Sequence, residues 1–186
     1  MRTVFDPLVL HQCANAGVDL DGEAMFDAVT SALVEAYPEH IQQTERSWIF
    51  NNAGGAMGQL TLLYASINEY LIFFGSPIGT EGHSGRYRAG VWDFVMSGEM
   101  WCYLEGEVAR TSYGPGDAAY LAPSKVKGYR IPDGCWMLEY ARGPIPAMLP
   151  FGLADSMLST LDLRNVGRTV WQYGQLTTRS ILRRLL

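Results

Sequence analysis

The chain has 186 residues, of which 48% are hydrophobic and 18% charged, a composition that excludes a disordered chain. This length is typical of a single domain, and the net charge of -5 argues against a basic nucleic-acid-binding surface. The charge is unevenly distributed, because residues 164–186 contain five Arg and no acid, whereas residues 1–163 contain nine bases and 19 acids.

The first 45 residues are predicted to form two helices. The first covers residues 6–16, where Pro7 suits a first-turn position. The second begins with Asp21 as its N-cap and ends before Pro38, which cannot continue a helix. Within this second helix, apolar residues recur at helical spacing, at Phe26, Val29, Leu33 and Tyr37.

The pattern changes at Trp48, where short aromatic and β-branched runs begin to alternate with turn residues. Eight strands are predicted, at residues 48–50, 60–64, 70–74, 91–96, 100–104, 108–113, 118–121 and 136–140. Turn signals separate them at residues 51–55, 75–77, 105–106, 114–117 and 132–134, and Glu105-Gly106 predicts a tight hairpin. This many short strands predicts a sandwich or a barrel.

Helical periodicity returns after Pro150. Residues 163–186 place their Arg residues among Val166, Val170, Trp171, Tyr173, Leu176, Ile181, Leu182, Leu185 and Leu186. Such a composition is typical of a helix lying in a membrane interface, where each base near an anionic lipid surface contributes about 1 kcal/mol. The alternative is that the apolar face packs on the barrel or on another subunit. No segment shows the apolar run of a signal peptide or a spanning helix, so membrane contact is expected to rest on this tail.

Two carboxylates lie within apolar, strand-like runs: Asp93 in residues 91–95 and Glu139 in residues 136–140. Burying a lone charged carboxylate is costly, so each must be paired, hydrogen-bonded or protonated. If both faced one apolar cavity, they would share a proton and supply one acid and one base. The alternative is that each points outward from a half-buried strand.

Metal and nucleophile chemistry have little support in the sequence. His83 lies in the Gly-rich stretch 82–87, which could hold a phosphate or order an active site, although a lone His in such a turn is more often structural. The other two His, at positions 11 and 40, belong to the N-terminal helical part, so a three-His metal site is not expected. The three Cys have no CxxC spacing and predict neither a disulfide framework nor a zinc site.

An ordered set of motifs runs through the middle of the chain: Asn52-Ala53-Gly54-Gly55, Ala65-Ser66 with Glu69-Tyr70, Phe74-Gly75, Gly82-His83-Ser84-Gly85-Arg86-Tyr87, Asp93 with Ser97-Gly98, Trp136-Met137 with Glu139-Tyr140 and Arg142-Gly143, Ile145-Pro146, and Leu153-Ala154-Asp155. Together they resemble the fungal sterol 8,7-isomerase and sigma-one receptor family. Each motif is weak by itself, and their order makes the resemblance specific over residues 48–162.

The resemblance implies a mainly β fold with flanking helices (α+β), built on a cupin-like β-barrel. We expect a single domain with N-terminal helices in residues 1–45, the barrel in 46–145 and two C-terminal amphipathic, membrane-facing helices in 146–186. It also implies a homotrimer. Eukaryotic members carry an N-terminal spanning helix, and this chain begins just past where that helix would end. We therefore expect peripheral membrane association, at the endoplasmic reticulum in a eukaryote or the inner membrane surface in a bacterium.

The resemblance also implies an enclosed apolar cavity that holds both acids as catalytic residues. Asp93 matches the first acid of the family, and Glu139 matches the second, which in the receptor contacts the ammonium of the ligand. Tyr70 matches a tyrosine that hydrogen-bonds the second acid. The other expected ligand-binding residues are His83, Ser84, Tyr87, Leu60, Ile72, Met100, Leu121, Tyr129, Met148, Leu149, Gly152 and Tyr173. No metal or cofactor is expected, since the His pairs of metal-dependent cupins are missing.

The predicted function is a sterol 8,7-isomerase in which an acid protonates the 8(9) double bond and a base removes a proton from carbon 7. The expected ligands are a sterol or another polycyclic lipid, with cationic amphiphilic amines as inhibitors that imitate the cation. The alternative is a non-catalytic, sigma-receptor-like binder of cationic amphiphiles or lipids. The sequence leaves open which carboxylate is the acid and whether turnover is retained.

Overall fold

The computed structural model describes residues 3–185. Its helices are α1 (Pro7–Asn15), α2 (Gly22–Ala36), α3 (Leu149–Leu158) and α4 (Leu163–Leu185), with a short 3-10 turn at Ile145–Ala147. Its strands are β1 (Ile49–Ala53), β2 (Ala56–Ala65), β3 (Glu69–Ser76), β4 (Thr80–His83), β5 (Gly90–Gly98), β6 (Met100–Leu104), β7 (Thr111–Tyr113), β8 (Ala118–Leu121), β9 (Lys127–Ile131) and β10 (Cys135–Arg142). Leu186 and the side chains of Arg184 and Leu185, all part of the predicted tail, lie outside the described part.

The strands form two antiparallel sheets. The larger has the order β1-β2-β3-β10-β5-β8, and the smaller has the order β4-β9-β6-β7. The predicted mainly β fold with flanking helices is confirmed, and two antiparallel sheets stand where the cupin-like barrel was predicted.

Strand alternation gives the larger sheet two apolar faces. One face packs against α1 and α2 with side chains that include Leu71, Phe73, Phe94, Leu138 and Tyr140. The other face meets the smaller sheet through side chains that include Ile72, Phe74, Val95, Met100, Ile131 and Met137. Fully burying one such side chain contributes about 1.5–3 kcal/mol, so both faces stabilise the fold. The second face also lines the candidate site.

Two strands, β4 and β9, were not predicted. The β4 sequence is polar around Gly82, and β9 begins with Lys127 followed by Gly128, so neither shows the apolar run used to predict the others. They pair with each other, Gly82 opposite Tyr129, and complete the smaller sheet. These strands carry three side chains of the cavity wall, His83, Lys127 and Tyr129.

Besides the turn at residues 75–77, where β3 continues to Ser76, two predicted turns differ in detail from the structure. The first is shorter than residues 51–55, because β1 extends to Ala53 and only Gly54-Gly55 connects it to β2. Both glycines have positive φ, 61° and 86°, as a two-residue hairpin turn requires. The second is longer than the predicted tight hairpin at Glu105-Gly106. The last paired residues are Cys102 and Thr111, and the Val108 side chain is fully exposed instead of lying in a strand.

The N-terminal helices begin as predicted, although their caps differ. The Asp6 side chain accepts a hydrogen bond from the Leu8 N–H (2.8 Å) and caps α1. Asp21 occupies the N-cap position of α2 without a capping hydrogen bond from its side chain. The helix ends at Ala36, two residues before Pro38, because the residue preceding a proline disfavours the helical region.

Helix α4 has one face against the sheet and one face exposed. Its inner face is polar: Tyr173 donates to the Ser66 carbonyl (3.0 Å), and Arg168 donates to the Trp48 carbonyl (3.0 Å). Arg168 therefore binds the main chain and is not part of an exposed basic surface. The exposed apolar side chains are Leu163, Val170, Trp171, Ile181 and Leu182. Among residues 3–185, none of the helices combines the length and apolar character needed to span a membrane.

Candidate active site

The two sheets and the C-terminal helices line a cavity of about 190 Å³. This is more than tenfold the ~15 Å³ that one water molecule needs, so the space is suited to an organic ligand. Every residue predicted to bind ligand lines it. The strands contribute Leu60, Tyr70, Ile72, Met100, Leu121 and Tyr129; the segment 83–87 contributes His83, Ser84 and Tyr87; the C-terminal part contributes Met148, Leu149, Gly152 and Tyr173. Their contact with a ligand stays a prediction.

Asp93 and Glu139 lie side by side in the cavity wall. Asp93 on β5 pairs directly with Glu139 on β10, and Glu139 pairs on its other side with Ile72 of β3. Directly opposed residues in an antiparallel pair have Cβ atoms about 4.5–5.5 Å apart, and both side chains face the cavity. The alternative that each acid points outward is therefore wrong.

Lys127 is a third charged group in this wall, and the sequence analysis missed it. Its Nζ forms an ion pair with Asp93 Oδ2. The pair is buried, with side-chain exposures of 9% for Lys127 and 4% for Asp93. The only local signal is that Lys127 alternates with Tyr129 and Ile131, and the intervening Gly128 and Arg130 keep this stretch from being an apolar run. Burial, the largest single effect, favours the neutral amine, but the charge and hydrogen bond of Asp93 together with the nearby Cys102 and Glu139 outweigh it and raise the pKa of Lys127 above its usual range.

None of the ion pairs within the described part of the chain includes Glu139. Burial, and next the negative charge of Asp93, raise the pKa of Glu139 to about 7 from its ordinary 4.5. The Tyr70 hydroxyl donates a hydrogen bond to Glu139 Oε1, and this bond and the charge of Lys127 oppose the rise. The pKa of Tyr70 is itself raised well above its usual value by burial and by Glu139, so Tyr70 stays a neutral donor.

The two acids therefore differ in their surroundings. Asp93 is paired with a cation, and Glu139 accepts a hydrogen bond from a neutral hydroxyl. The sequence analysis expected one acid and one base that share a proton, and it left open which carboxylate is the acid. The geometry distinguishes the two: Asp93 is an ion-paired carboxylate, and Glu139 is a carboxyl group beside a neutral hydroxyl, with a pKa raised by burial and by Asp93.

The segment 83–87 closes one side of the cavity and is held by the main chain. Ser84 Oγ accepts from the Lys127 N–H (3.0 Å), and the Ser84 N–H donates to the Lys127 carbonyl (3.0 Å). His83 Nδ1 accepts from the Gly85 N–H (3.0 Å), which is a local turn contact. Arg86 turns to the surface and pairs with the exposed Glu105 (2.6 Å). The phosphate-binding alternative for this segment is therefore not supported.

Glu69 is a further buried acid that the sequence analysis did not single out as functional, and it serves another purpose. It lies on the helix-facing side of β3 and is fully buried. Its carboxylate accepts hydrogen bonds from the Val4 N–H (2.9 Å) and the Tyr140 hydroxyl (2.6 Å). Glu69 thus attaches the N-terminal segment to the sheet and is not part of the cavity. Within residues 3–185, no three His, Cys, Asp or Glu side chains come together as a metal site needs.

Comparison with known proteins shows the family of the chain. The family model described as ERG2 and Sigma1 receptor like protein matches residues 1–185. The chain belongs to this family. The expected resemblance is therefore confirmed over almost the whole chain.

Relatives of both kinds are found within the ERG2 and Sigma1 receptor family. The chain is 48% identical to the C-8 sterol isomerase of Mycosarcoma maydis, over 98% of this chain and 78% of that protein. It is 44% identical to the C-8 sterol isomerase ERG2 of Gibberella zeae, over 89% of this chain and 68% of that protein. It is also 38% identical to the sigma non-opioid intracellular receptor 1 of Gallus gallus, over 92% of this chain and 78% of the receptor.

Solved structures similar to this family member include an RmlC-like cupin from Shewanella frigidimarina and KdgF from a Halomonas species. Each covers 57% of this chain, with 22% and 18% identity and TM-scores of 0.45 and 0.47. Because these TM-scores are below 0.5, the description of the fold rests on the strand order and register given above.

Proposed function

We propose that this protein is a sterol 8,7-isomerase that moves a ring double bond by acid–base catalysis between Glu139 and Asp93. The observation that carries the proposal is that Glu139, which accepts a hydrogen bond from a neutral hydroxyl, lies directly opposite the ion-paired Asp93 in one apolar cavity. The names of the isomerase relatives support the same reaction class.

The proposed reaction begins with proton transfer from Glu139 to carbon 9 of an 8(9)-unsaturated sterol. The two π electrons form the new C9–H bond and leave a tertiary cation at carbon 8. Asp93, already ionised, stabilises this cation at close range in a medium of low dielectric constant. Asp93 then takes the proton from carbon 7, and the C–H electron pair forms the C7=C8 double bond.

The cycle closes when Asp93 gives up its proton and Glu139, its direct neighbour across the strands, takes one up, with exchange of both carboxyl protons with solvent between turnovers. No electrons are gained or lost, and the product is an isomer of the substrate. A carboxyl of pKa about 7 suits the first step, since a useful fraction is protonated at neutral pH. The second step tolerates a weak base, because a proton next to a carbocation is strongly acidic.

The proposal is tested by incubating purified protein with an 8(9)-unsaturated sterol in deuterated buffer and analysing the products by mass spectrometry. We expect a 7-ene product that carries one added deuteron. Glu139→Gln and Asp93→Asn should each abolish turnover. Glu105→Gln is a matched control, since this acid is exposed and pairs with Arg86 at the surface. Wild-type rates in either cavity variant would contradict the assigned roles.

A second candidate is supported by the relative named a sigma receptor. In that case the cavity binds cationic amphiphiles or lipids without turnover, and Glu139 contacts the ammonium group of the ligand. The same preparation distinguishes the two functions. Tight binding of an amphiphilic amine that depends on Glu139, with no sterol product, would favour the binding protein over the isomerase.

Peripheral contact with a membrane completes the proposal. The exposed apolar side chains of α4 lie beside the exposed Arg164, Arg179 and Arg183, a pattern that suits an anionic lipid surface. Sedimentation with vesicles containing anionic lipid should decrease when Trp171 and Leu182 are replaced by Ser. Homotrimer formation stays a prediction, which light scattering of the purified protein would test.

A further inference from the structure

The acid–base scheme gives no role to Lys127, although its ammonium group is buried beside Asp93 in the cavity. A buried lysine costs free energy, and an apolar residue of similar length would suit an apolar cavity better. The presence of a charge here therefore calls for a functional explanation.

The position of this charge is held on two sides. Lys127 belongs to β9 of the smaller sheet and Asp93 to β5 of the larger sheet, so their ion pair joins the two sheets across the cavity. The main chain of Lys127 is held in turn by two hydrogen bonds with Ser84, each 3.0 Å long. These contacts fix the position of the ammonium group, unlike that of a mobile lysine on the surface.

We propose that Lys127 is a positioning residue that keeps Asp93 ionised and thereby makes Glu139 the carboxyl group that gains and loses the proton when a ligand binds. The catalytic meaning of this inference rests on the proposed isomerase function. Its effect on ligand binding does not depend on turnover.

The other titratable groups around Glu139 do not compete for this role. Burial raises the pKa values of Tyr70, Tyr87, Tyr129 and Tyr173 and raises that of Cys102 to about 11, so all of them are neutral near pH 7. The remaining groups that face the cavity are Asp93, Lys127, Glu139 and His83. The ionised Asp93 raises the pKa of Glu139 by more than Lys127 lowers it. The net effect of the ion pair is therefore to keep Glu139 protonated up to about pH 7.

Removing the ammonium group of Lys127 changes which carboxyl group carries the proton that is lost on ligand binding. Without Lys127, Asp93 is a buried carboxylate with no cation beside it, and it would share one proton with Glu139 as a coupled pair. One member of that pair is already ionised near neutral pH. A cationic ligand would then bind the ionised member of the Asp93–Glu139 pair, and no proton would be released on binding.

The experiment measures proton release when an amphiphilic amine binds. Calorimetric titrations of a dodecyl-dimethyl tertiary amine, below its micelle concentration and in buffers of different ionisation enthalpy, give the number of protons released between pH 5 and pH 9. The wild-type protein should release about one proton at pH 6 and almost none at pH 8, following a single group with a midpoint near pH 7.

Lys127→Met should shift this midpoint to the acid side by on the order of one pH unit. It should also tighten amine binding at pH 6 about tenfold, since the wild-type protein has only about a tenth of Glu139 ionised at that pH. Lys127→Arg, which retains the cation, should keep the wild-type midpoint. Lys125→Met removes an exposed lysine two residues away and should change neither quantity. His83 is present in every variant, so its contribution cancels.

A wild-type release curve and affinity in Lys127→Met would overturn the proposal. If that variant does not fold, infrared spectroscopy of the wild-type protein and Glu139→Gln replaces it. The carbonyl band of a protonated carboxyl at pH 6 should be lost in Glu139→Gln, and its retention would refute the assignment. Sterol turnover is measured separately. If the wild-type protein makes no sterol product but shows the expected proton-release curve, the isomerase function is rejected and the role of Lys127 in ligand binding is kept.

Discussion

Replacing Glu139 by Gln removes a carboxyl group for which the folded protein favours the neutral, protonated form. Because burial and Asp93 raise its pKa to about 7, the folded chain binds the Glu139 proton more tightly than the unfolded chain does. This contribution to stability is fully present below the ordinary pKa of 4.5 and is lost as the pH rises to about 7. Glu139 therefore destabilises the fold at the pH values where it is needed as an acid.

The size of the effect follows from the shift. A rise from 4.5 to about 7 corresponds to about 3 kcal/mol between pH 4 and pH 8. For a chain of this length, 3 kcal/mol amounts to roughly 6–12 °C in Tm. The Gln amide keeps the hydrogen bond from Tyr70 and carries no charge. We therefore expect Glu139→Gln to be inactive and yet more stable than the wild-type protein at pH 8.

The assay is urea unfolding at several pH values from 4 to 8, followed by circular dichroism, together with sterol turnover at pH 7. The difference in unfolding free energy between variant and wild type should grow with pH and level off above pH 7. Glu105→Gln, at the exposed acid, should show no such growth. A variant that is inactive and less stable at every pH would indicate a structural role for Glu139 and refute the reasoning.

Three further predictions concern the surroundings of the site. Tyr70→Phe removes the hydrogen bond that favours the Glu139 anion, so the alkaline decline of the pH–rate profile should move to higher pH, by about one unit. Glu69→Gln should behave oppositely to Glu139→Gln and lower the unfolding free energy by about 2–3 kcal/mol in urea titrations, because it weakens charge-assisted hydrogen bonds to Val4 and Tyr140. Gly54→Ala should lower the unfolding free energy by more than the ~1–2 kcal/mol expected for a non-glycine residue in the left-handed region, because the new Cβ would lie 2.2 Å from the His83 carbonyl oxygen. Its control is Gly55→Ala, whose Cβ would have no atom within 4 Å and which should lower the unfolding free energy only by the contribution of the left-handed backbone.

Much of the fold was predictable because its signals are local. Apolar runs between turn residues predicted eight of the strands, and helical spacing predicted the helices at both ends. The exceptions are β4 and β9, whose polar and glycine-containing sequences become strands only by pairing with each other and with β6. Their strand conformation depends on neighbours far along the chain, which a local pattern does not contain.

The candidate site divides in the same way. The sequence shows that Asp93 and Glu139 lie alone in apolar runs, where burying a lone carboxylate is costly. It also shows the family of the chain. Their different surroundings do not follow from it. Lys127 reaches Asp93 from the opposite sheet, and Tyr70 reaches Glu139 from the neighbouring strand β3.

The sequence by itself determined the fold class and the family, and it singled out two lone acids in apolar runs, because hydrophobic periodicity and ordered motifs are properties of neighbouring residues. Only the tertiary structure decided that Asp93 has a cation and Glu139 a hydroxyl, that Glu69 binds the N-terminal segment, and that Arg168 turns inward. A protonation state depends on burial and on charges within a few ångströms, and those charges come from residues 34 or more positions away in the chain.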